Sequence, residues 1–392
     1  MSGLRVAVVG GSIGGCAAAL AAHRAGHEDI TVYERTSGDL ASRGLGVAVH
    51  RSRYAELERR GYLDAAMPWT PMVERRWYVR DGGEPLGRLI GAGHFPFRTY
   101  NWGPLWRELR SRLPASVVFR SGTAVGSAAE SAAGVRIGTA SGVADYDLVV
   151  GADGRRSVIR EAVCPGVRPA HAGYLAWRGA YPESRLPDPG RWERSATVYA
   201  VFDGGHAVIY RIPDGGGGHL VNWVLYTAPP PGAGTGVSGP AAPLHPYLAG
   251  LVEDRLPPFW STLVGLTTPG ELIVQPMYDF TAAPGVTGRI ALLGDAAAVA
   301  RPHTGAGAVK ALQDATLLED ALTAHRSLPA ALAAYDTARS AVGGGMVDLG
   351  RRLGHALVEA TPPWGSLDRA GLDAWWEEAD AAGLFGGRRL DG

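Results

Sequence analysis

Side chains capable of chemistry stand close together in the last third of the chain. Asp295 directly follows a short apolar run, Ile290–Leu293, and Pro302 and His303 precede a glycine-bearing turn at Gly305–Gly307. A carboxylate accepts hydrogen bonds from sugar-type hydroxyls, and an imidazole exchanges protons near neutral pH. Free backbone N–H groups at a helix start face anionic oxygen. The combination indicates a site for a polar cofactor, although an ordinary strand–helix unit gives the same local pattern.

A second glycine-rich turn lies near the N-terminus, between two apolar strands. Leu4–Val9 leads into the sequence GGSIGG, and the strand Ile30–Glu34 ends on a carboxylate placed to accept from ribose hydroxyls. Gly10 permits the tight turn, and Gly15 lets helix and strand pack closely. Ser12 replaces the usual middle glycine, and its small side chain still leaves room for a pyrophosphate. This strand–helix–strand arrangement predicts a dinucleotide site.

An acid and a glycine follow a third apolar strand in the same way. The strand Tyr146–Val150 is followed by Asp153 and Gly154. Open α/β sheets bind their ligands at the carboxyl ends of the strands. We therefore expect the three separated segments to converge on one cofactor.

Composition and charge exclude several classes of protein. The 392 residues are long enough for two structural units, and 38 basic residues balance 38 acidic ones. This balance gives no electrostatic reason to expect nucleic acid or an anionic membrane as a partner. No apolar run approaches the roughly 18 residues of a membrane helix, and two cysteines provide neither a metal knuckle nor a disulfide framework. We expect a cytoplasmic protein without a metal.

The elements that must position these groups form a mixed α/β (α+β) fold. A Rossmann-like cofactor domain is expected from residues 1–71, 92–172 and 273–328, with an inserted antiparallel-sheet substrate domain from 72–91 and 173–272. Residues 329–392 form a C-terminal helical segment, which we expect Gly343–Gly345 to interrupt.

The three motifs in this order resemble the class A flavoprotein monooxygenases, the para-hydroxybenzoate hydroxylase-like aromatic hydroxylases. The segments Ala176–Gly179, Asn222–Val224 and Arg301–His303 further resemble the 2,6-dihydroxypyridine hydroxylase branch. The resemblance implies FAD as the cofactor. The residues it places against FAD are Gly10, Ser12, Ile13, Gly15, Glu34, Arg35, Arg43, Arg107, Val125, Asp153, Gly154, Gly294, Asp295, Pro302, Gly305, Ala306, Gly307 and Ala308.

The activity that the resemblance implies is hydroxylation of an electron-rich aromatic or N-heteroaromatic ring. NAD(P)H is the reductant, O2 the oxidant and a flavin hydroperoxide the oxygen donor. The chain has no second dinucleotide fold, so NAD(P)H should dock transiently. Family analogy implies a homodimer. The alternatives are another flavin-dependent redox reaction (reductase, halogenase or oxidase) and a flavin-bearing interaction protein without turnover.

The substrate pocket should contain a base, because loss of a ring proton promotes attack by an electrophilic oxygen. His303 is the first candidate, although it is equally suited to bracing its loop, and His50 and Tyr210 are the others. Residues expected to line the pocket lie on the strands of the antiparallel sheet: Trp177, Tyr199, Asn222 and Tyr226. A register error of one residue would place the opposite set of side chains in the pocket.

Overall fold

The computed structural model describes residues 3–41, 45–131, 134–232, 238–305, 307–381 and 385. Its strands are β1 (Val6–Val9), β2 (Ile30–Glu34), β3 (Gly46–His50), β4 (Thr70–Val79), β5 (Arg88–Asn101), β6 (Val118–Ser121), β7 (Val125–Ser131), β8 (Gly134–Thr139), β9 (Gly142–Tyr146), β10 (Leu148–Gly151), β11 (Ala170–Pro182), β12 (Ala196–Phe202), β13 (Gly205–Pro213), β14 (His219–Thr227), β15 (Gly239–Pro240), β16 (Ile273–Thr281), β17 (Val286–Thr287), β18 (Ile290–Leu292) and β19 (Ala298–Val299).

The helices are α1 (Ile13–Arg24), α2 (Arg51–Arg59), α3 (Trp102–Ser111), α4 (Ile159–Val163), α5 (His245–Arg255), α6 (Pro258–Gly265), α7 (Gly307–Ala324), α8 (Leu328–Gly354) and α9 (Arg369–Ala379). Short turns of 3-10 helix at Gly294–Ala296 and Pro302–Thr304 lie between β18 and α7. In the part of the chain that the structure describes, no helix is both long enough and apolar enough to cross a membrane.

The smaller main sheet brings the three motifs to one edge. Its strand order is β17-β18-β10-β1-β2-β6, and all pairs except β17–β18 are parallel. Val9 pairs with Gly151, and Gly151 pairs with Leu292, so the carboxyl ends of β1, β10 and β18 are level. The apolar side chains of β1 and β10 are fully buried, as expected for a parallel sheet covered on both faces.

Helix α1 covers this sheet because its small residues permit close packing. A Cβ at Gly15 would lie 1.7 Å from the carbonyl oxygen of Gly10, so only glycine fits there. On the neighbouring position Gly14, a Cβ would lie 3.1 Å from Leu293 and 3.3 Å from Ala311 of α7. The glycines of GGSIGG therefore fix both the strand–helix turn and the α1–α7 contact.

The larger sheet has the strand order β15-β16-β11-β14-β13-β12-β4-β5-β3 and is antiparallel except for the β12–β4 pair. One of its faces packs against α5 and α6. The opposite face packs against the end of α8, the turn His355–Glu359 and α9. This second face carries Tyr199, His206, Tyr210, Asn222 and Tyr226, and we call it the pocket face.

The larger sheet includes strands from segments that the sequence assigns to the cofactor domain. Strands β3 and β5 are hydrogen-bonded into it, because β5 continues without a break past Gly91 to Asn101. The division of the chain into residues 1–71, 92–172 and 273–328, residues 72–91 and 173–272, and residues 329–392 is kept as a proposal.

The expected break at Gly343–Gly345 is wrong, because α8 runs unbroken from Leu328 to Gly354. Its glycines instead allow close approach of other elements. A Cβ at Gly343 would lie 3.6 Å from the Ala298 side chain, and one at Gly350 would lie 2.8 Å from the backbone nitrogen of Arg301. Each glycine costs the helix about 1 kcal/mol relative to alanine, and the closer packing offsets this cost.

Candidate active site

The first glycine turn is closed by the second motif. Gly10 has φ of 105°, and a Cβ there would lie 2.3 Å from the carbonyl oxygen of Ala152. The same Cβ would lie 2.9 Å from the Cα of Asp153. The two sequence motifs are thus in direct contact, and any side chain at Gly10 would separate them.

The Glu34 carboxylate organises this turn from the end of β2. One oxygen accepts from the backbone N–H of Gly11 at 2.8 Å and the other from that of Thr36 at 2.9 Å. The indole of Trp106 donates to the carbonyl of Gly11 at 2.8 Å. A carboxylate retains further lone pairs after two such bonds, so Glu34 can still accept from a ribose hydroxyl.

Asp153 is used within its own loop. It accepts from the Ser157 hydroxyl at 2.5 Å and from the backbone N–H of Val158 at 2.7 Å, ahead of α4. Burial raises the pKa of the Asp153 carboxyl, while these hydrogen bonds lower it. The acid of the second motif therefore shapes the loop beside Gly10, and Gly154 follows it with φ of 79°.

Asp295 lies in the 3-10 turn Gly294–Ala296 that follows β18, and its side chain is exposed. The surrounding protein still raises the pKa of its carboxyl by desolvation, and the charges of Lys310 and Arg155 oppose that rise. The adjacent Gly294 has φ of 63° and donates its N–H to Asp314 at 2.8 Å. Hydrogen bonds from hydroxyl groups, such as those of a ribityl chain, would stabilise a partly desolvated carboxylate of this kind.

The other expected cofactor residues lie in different surroundings. Arg35 and Arg107 are exposed, and Arg107 pairs with Asp39 at 3.4 Å. Val125 is buried at the start of β7. The remaining expected residues lie at the start of α1 and in or after the turn that precedes α7: Ser12, Ile13, Pro302, Gly305, Gly307 and Ala308. Arg43 and Ala306 lie outside the described residues.

The residues present fit FAD. The Gly10 and Gly15 positions leave no room for a Cβ, and the acids Glu34 and Asp295 lie at the ends of β2 and β18. Gly305 has φ of 67° immediately before α7. A glycine turn, two hydroxyl acceptors and a helix start match the parts of a flavin dinucleotide in order.

His303 joins this cofactor loop to the pocket face. Its Nε2 lies 2.7 Å from the hydroxyl of Tyr174 on β11. Its ring centroid lies 4.4 Å from that of Tyr226 and 5.2 Å from that of His206. The loop is held by Arg301, which pairs with the buried Asp279 at 2.9 Å. His303 is therefore a buried residue of the turn Pro302–Thr304 that packs against the pocket face.

The ionisation of His303 differs from the expected titration near neutral pH. Burial lowers its pKa well below the ordinary value, and the neighbouring His206 and Arg301 lower it further. Burial likewise lowers the pKa of His206 to about 3. Both imidazoles are therefore neutral at pH 7, and the same surroundings disfavour the protonated form of His303. Among the described residues its Nδ1 has no hydrogen-bond partner.

The two other candidate bases occupy different surroundings. Tyr210 lies on the pocket face at the far end of β13 from His206, and burial raises the pKa of its hydroxyl. His50 caps α2, where its Nδ1 accepts from the backbone N–H of Ser52 at 3.3 Å, and its ring meets Phe97 edge-on at 5.0 Å. The structure does not bring His50 into contact with His303 within the described ranges.

Three of the four expected wall residues share the pocket face, and the fourth does not. Tyr199, Asn222 and Tyr226 lie on the pocket face, and Asn222 accepts from the backbone N–H of Gly46 at 3.2 Å. Trp177 points to the other face, where it is fully buried and stacks on Tyr247 at 6.0 Å. Because neighbouring residues of a strand alternate between faces, Trp177 belongs to the core beneath α5 and α6.

Sequence reasoning missed Tyr174 and His206. Both residues lie on strands that the sequence predicts, and alternate residues of a strand point to the same face. His206 therefore shares the face of Tyr210 on β13. Its side chain points toward the turn after α8, where its Nδ1 lies 3.2 Å from the carbonyl oxygen of Leu357. The sequence predicts which residues of a strand share a face, but it does not predict which of the two faces borders the pocket.

The comparisons with known proteins agree with this geometry. Residues 171–234 match a family model described as FAD binding domain-like, and residues 261–349 match one described as FAD binding domain. The chain is 30% identical over 354 residues to 2,6-dihydroxypyridine 3-monooxygenase of Paenarthrobacter nicotinovorans, covering 85% of this chain and 86% of the relative. It is 30% identical over 347 residues to 3-amino-4-hydroxybenzoate 2-monooxygenase of Streptomyces cremeus, covering 83% and 80%.

Among solved structures, the fold is similar to that of 2,6-dihydroxypyridine-3-hydroxylase from Arthrobacter nicotinovorans. The TM-score is 0.81 at 24% identity, over 94% of this chain and 96% of that one. The glycine turn, the paired acids and the matched FAD-binding models define a flavin-dependent oxidoreductase. Within that class, the chain belongs to the class A FAD-dependent aromatic monooxygenases.

Proposed function

We propose that this enzyme uses NAD(P)H and O2 to hydroxylate an electron-rich aromatic or N-heteroaromatic ring bound at the pocket face. The names of its relatives support a hydroxylated ring, since they act on 2,6-dihydroxypyridine, 3-amino-4-hydroxybenzoate and 6-hydroxynicotinate. Each of these rings carries a hydroxyl that pushes electrons into the ring. A substrate of the same kind suits a pocket lined by neutral imidazole and phenol groups.

The observation that carries the proposal is the position of His303. The turn Pro302–Thr304 leads directly into Gly305 and α7, the loop assigned to the flavin. The same turn places the His303 ring against Tyr174 and Tyr226 of the pocket face. The loop assigned to the cofactor and the pocket face therefore meet at the His303 side chain, which we propose as the proton acceptor.

We assign separate roles to the residues that would bind the cofactor and to those that would contact the substrate. Gly10, Ser12, Glu34 and Asp295 would hold FAD, and Gly305–Gly307 would face its ring system. When bound and reduced by NAD(P)H, FAD supplies the electrons that let O2 deliver one oxygen atom to the ring. His303 would accept the ring-hydroxyl proton at Nδ1 while its Nε2 stays hydrogen-bonded to Tyr174. The negative charge left on the ring would offset the burial that lowers the pKa of His303. The aromatic side chains of the pocket face exclude water from the reacting ring.

Stimulation of NAD(P)H oxidation by ring compounds tests this function. Purified, FAD-loaded enzyme is mixed with NADH or NADPH in air, with and without members of a panel of hydroxylated benzoates, pyridines and quinolines. We expect oxidation to be slow alone and to rise with one group of rings, with a hydroxylated product formed. Rapid oxidation that no ring changes would overturn the proposal.

We also propose that the chain assembles as a homodimer and works in the cytoplasm, by resemblance to its family. Light scattering that gives the mass of one chain would refute the dimer without affecting the proposed reaction.

A further inference from the structure

A cluster of buried charged side chains packs against the turn that carries Asp295. Lys310 and Asp314 lie one helical turn apart on α7, and Arg339 reaches them from α8. One oxygen of Asp314 lies 3.5 Å from Nζ of Lys310 and 3.7 Å from Nε of Arg339. Each of the three side chains is exposed by 2% or less. Charges buried to this extent normally occur in balanced pairs.

The charges of this cluster do not balance, because two cations face one carboxylate. In the described part of the chain, neither Lys310 nor Arg339 has a second carboxylate within ion-pair distance. Nζ of Lys310 and the three guanidinium nitrogens of Arg339 are buried, and none has a hydrogen-bond partner among the described residues. A buried cation is stabilised chiefly by a nearby negative charge. The excess positive charge is therefore available to a further anionic group close to the cluster.

The identity of one of these cations is unusual for this chain. Among the 38 basic residues, Lys310 is the only lysine. An ammonium group is a compact point charge, whereas a guanidinium is a wide planar fork. The position next to the turn Gly294–Ala296 therefore carries the smaller of the two cations in a chain that otherwise uses arginine.

Asp295 is an anionic group on which this excess charge acts. Desolvation raises the pKa of the Asp295 carboxyl, the charge of Lys310 opposes the rise more than any other group does, and the charge of Asp314 adds to it. Burial lowers the pKa of Lys310, and the charges of Asp314 and Asp295 oppose that change. Asp314 also holds the turn, because its Oδ2 accepts from the backbone N–H of Gly294 at 2.8 Å. The residue that fixes the turn thus brings a like charge close to Asp295, and Lys310 counters it.

Two further cations face the turn from other elements. Arg155, in the loop after β10, opposes the rise in the pKa of Asp295 less than Lys310 does. Arg160 of α4 donates to the carbonyl oxygen of Ala296 at 3.2 Å. Asp295 is exposed, and FAD held through its ribityl hydroxyls would shield it from water. Charges interact more strongly where water is excluded, so bound FAD would increase the dependence of Asp295 on Lys310.

We propose that Lys310 is a positioning residue for FAD, because its buried charge keeps Asp295 ionised and able to accept hydrogen bonds from the ribityl hydroxyls. Arg339 contributes by offsetting the charge of Asp314. Without the charge of Lys310, Asp295 would bind a proton at higher pH and lose acceptor capacity. The inference rests on the assignment of Asp295 to FAD in the proposed function, and it adds the residue that maintains the charge of Asp295.

The affinity for FAD as a function of pH tests this role. The dissociation constant is measured from flavin fluorescence on reconstituted apoprotein between pH 8 and pH 6. Lys310→Gln keeps an N–H donor beside Asp314 and removes only the charge. Because loss of the cation raises the pKa of Asp295, we expect Lys310→Gln to bind FAD about tenfold more weakly than the wild type at pH 6, with a smaller difference at pH 8.

A second substitution separates the effect of the charge from a structural effect. In the Asp295→Asn background no carboxylate remains to be ionised, so Lys310→Gln should change the affinity by less than about threefold at either pH. Arg185→Met removes an exposed positive charge paired with Glu271, and it is the control for net charge. Circular dichroism of each apoprotein confirms that it is folded. Lys310→Met replaces Lys310→Gln if the latter does not fold.

If neither Lys310 variant folds, the wild type still provides a test. With Asp295 kept ionised by its surroundings, the wild-type affinity for FAD should change by less than about twofold between pH 8 and pH 6. A fall of about tenfold over that range, absent from Asp295→Asn, would show that the cluster does not keep Asp295 ionised.

The outcomes separate this inference from the proposed function. Equal losses from Lys310→Gln in the wild-type and Asp295→Asn backgrounds, or a loss that does not depend on pH, would overturn the role of Lys310 and leave Asp295 as an FAD residue. An unchanged affinity in Asp295→Asn would remove the assignment of Asp295, and the inference with it. Every measurement uses FAD alone, so a failure to find a hydroxylated product would affect only the proposed reaction.

Discussion

The hydroxyl of Tyr174 lies 2.7 Å from Nε2 of His303, so β11 of the larger sheet and the loop before α7 share one hydrogen bond. The bond occupies one nitrogen of the imidazole. The other nitrogen, Nδ1, is buried without a hydrogen-bond partner in the described ranges. This pairing fixes the ring orientation and leaves one atom to accept a proton.

Removing either partner of this pair should slow hydroxylation. We expect His303→Ala to lower kcat by about 100-fold, because general-base catalysis contributes roughly that much or more. Tyr174→Phe should lower it by about tenfold, because the imidazole remains but loses its fixed orientation. Tyr247→Phe, on helix α5 over the other face of the sheet, is the control. Full activity and an unchanged pH profile in His303→Ala would remove His303 from the mechanism.

Asp295 should contribute to cofactor retention. Replacing it by alanine removes a hydroxyl acceptor from the turn that follows β18, and the affinity for FAD should fall by about tenfold or more. The dissociation constant is measured from flavin fluorescence after the apoprotein is reconstituted. The exposed Asp254, which pairs with Arg255, offers a control as Asp254→Ala. Equal affinity in the two variants would contradict the assignment of Asp295.

Two adjacent glycines of α1 should respond differently to alanine. In Gly15→Ala the new Cβ would lie 1.7 Å from the Gly10 carbonyl oxygen, so we expect a loss of about 3 kcal/mol in the free energy of unfolding and loss of FAD. In Gly14→Ala the nearest atoms are side-chain carbons at 3.1 and 3.3 Å, and the gain in helix propensity offsets their displacement. Urea unfolding compares the two. Similar values for both variants would show that the turn has another geometry.

Stability should decline on acidification through the two buried imidazoles. The folded-state pKa of His206 is about 3 and that of His303 lies well below 6.5, so the unfolded chain binds their protons first as the pH falls below 6.5. Each imidazole should then remove about 1.4 kcal/mol of stability per pH unit between 6.5 and its own folded pKa.

The free energy of unfolding, measured with a chemical denaturant at pH 7.5 and at pH 4.5, tests this pH dependence of stability. His206→Phe should lose less stability on acidification than the wild type, because one proton-binding site of the unfolded chain is gone. His94→Gln, at an exposed position, should lose as much as the wild type. Identical losses in all three proteins would exclude His206 as a source of acid sensitivity.

Part of this architecture could be predicted from the sequence, because the information is local. GGSIGG, the acid at Asp153 and the acid at Asp295 each follow an apolar strand, and parallel strands align their carboxyl ends. The family assignment and the mixed α/β fold follow from those motifs and are confirmed by the comparisons.

The remainder depends on contacts distant in sequence. Trp177 was expected in the pocket because its strand was recognised, but the face it occupies is set by α5 and α6, which follow about 70 residues later in the chain. The lowered pKa of His303 arises from burial under elements of three separate segments. Gly343–Gly345 lie within an unbroken helix, where β19 packs on Gly343 and Arg301 packs on Gly350, and no local propensity indicates these contacts.

The origin of the oxygen atom in the product tests the proposed hydroxylation most directly. The FAD-loaded enzyme, NAD(P)H and a ring that stimulates oxidation are incubated under isotopically heavy oxygen gas, and the product is analysed by mass spectrometry. We expect one heavy oxygen atom in each hydroxylated ring, with one NAD(P)H consumed for each product molecule. A product that carries oxygen from water, or NAD(P)H consumption without any oxygenated ring, would contradict it.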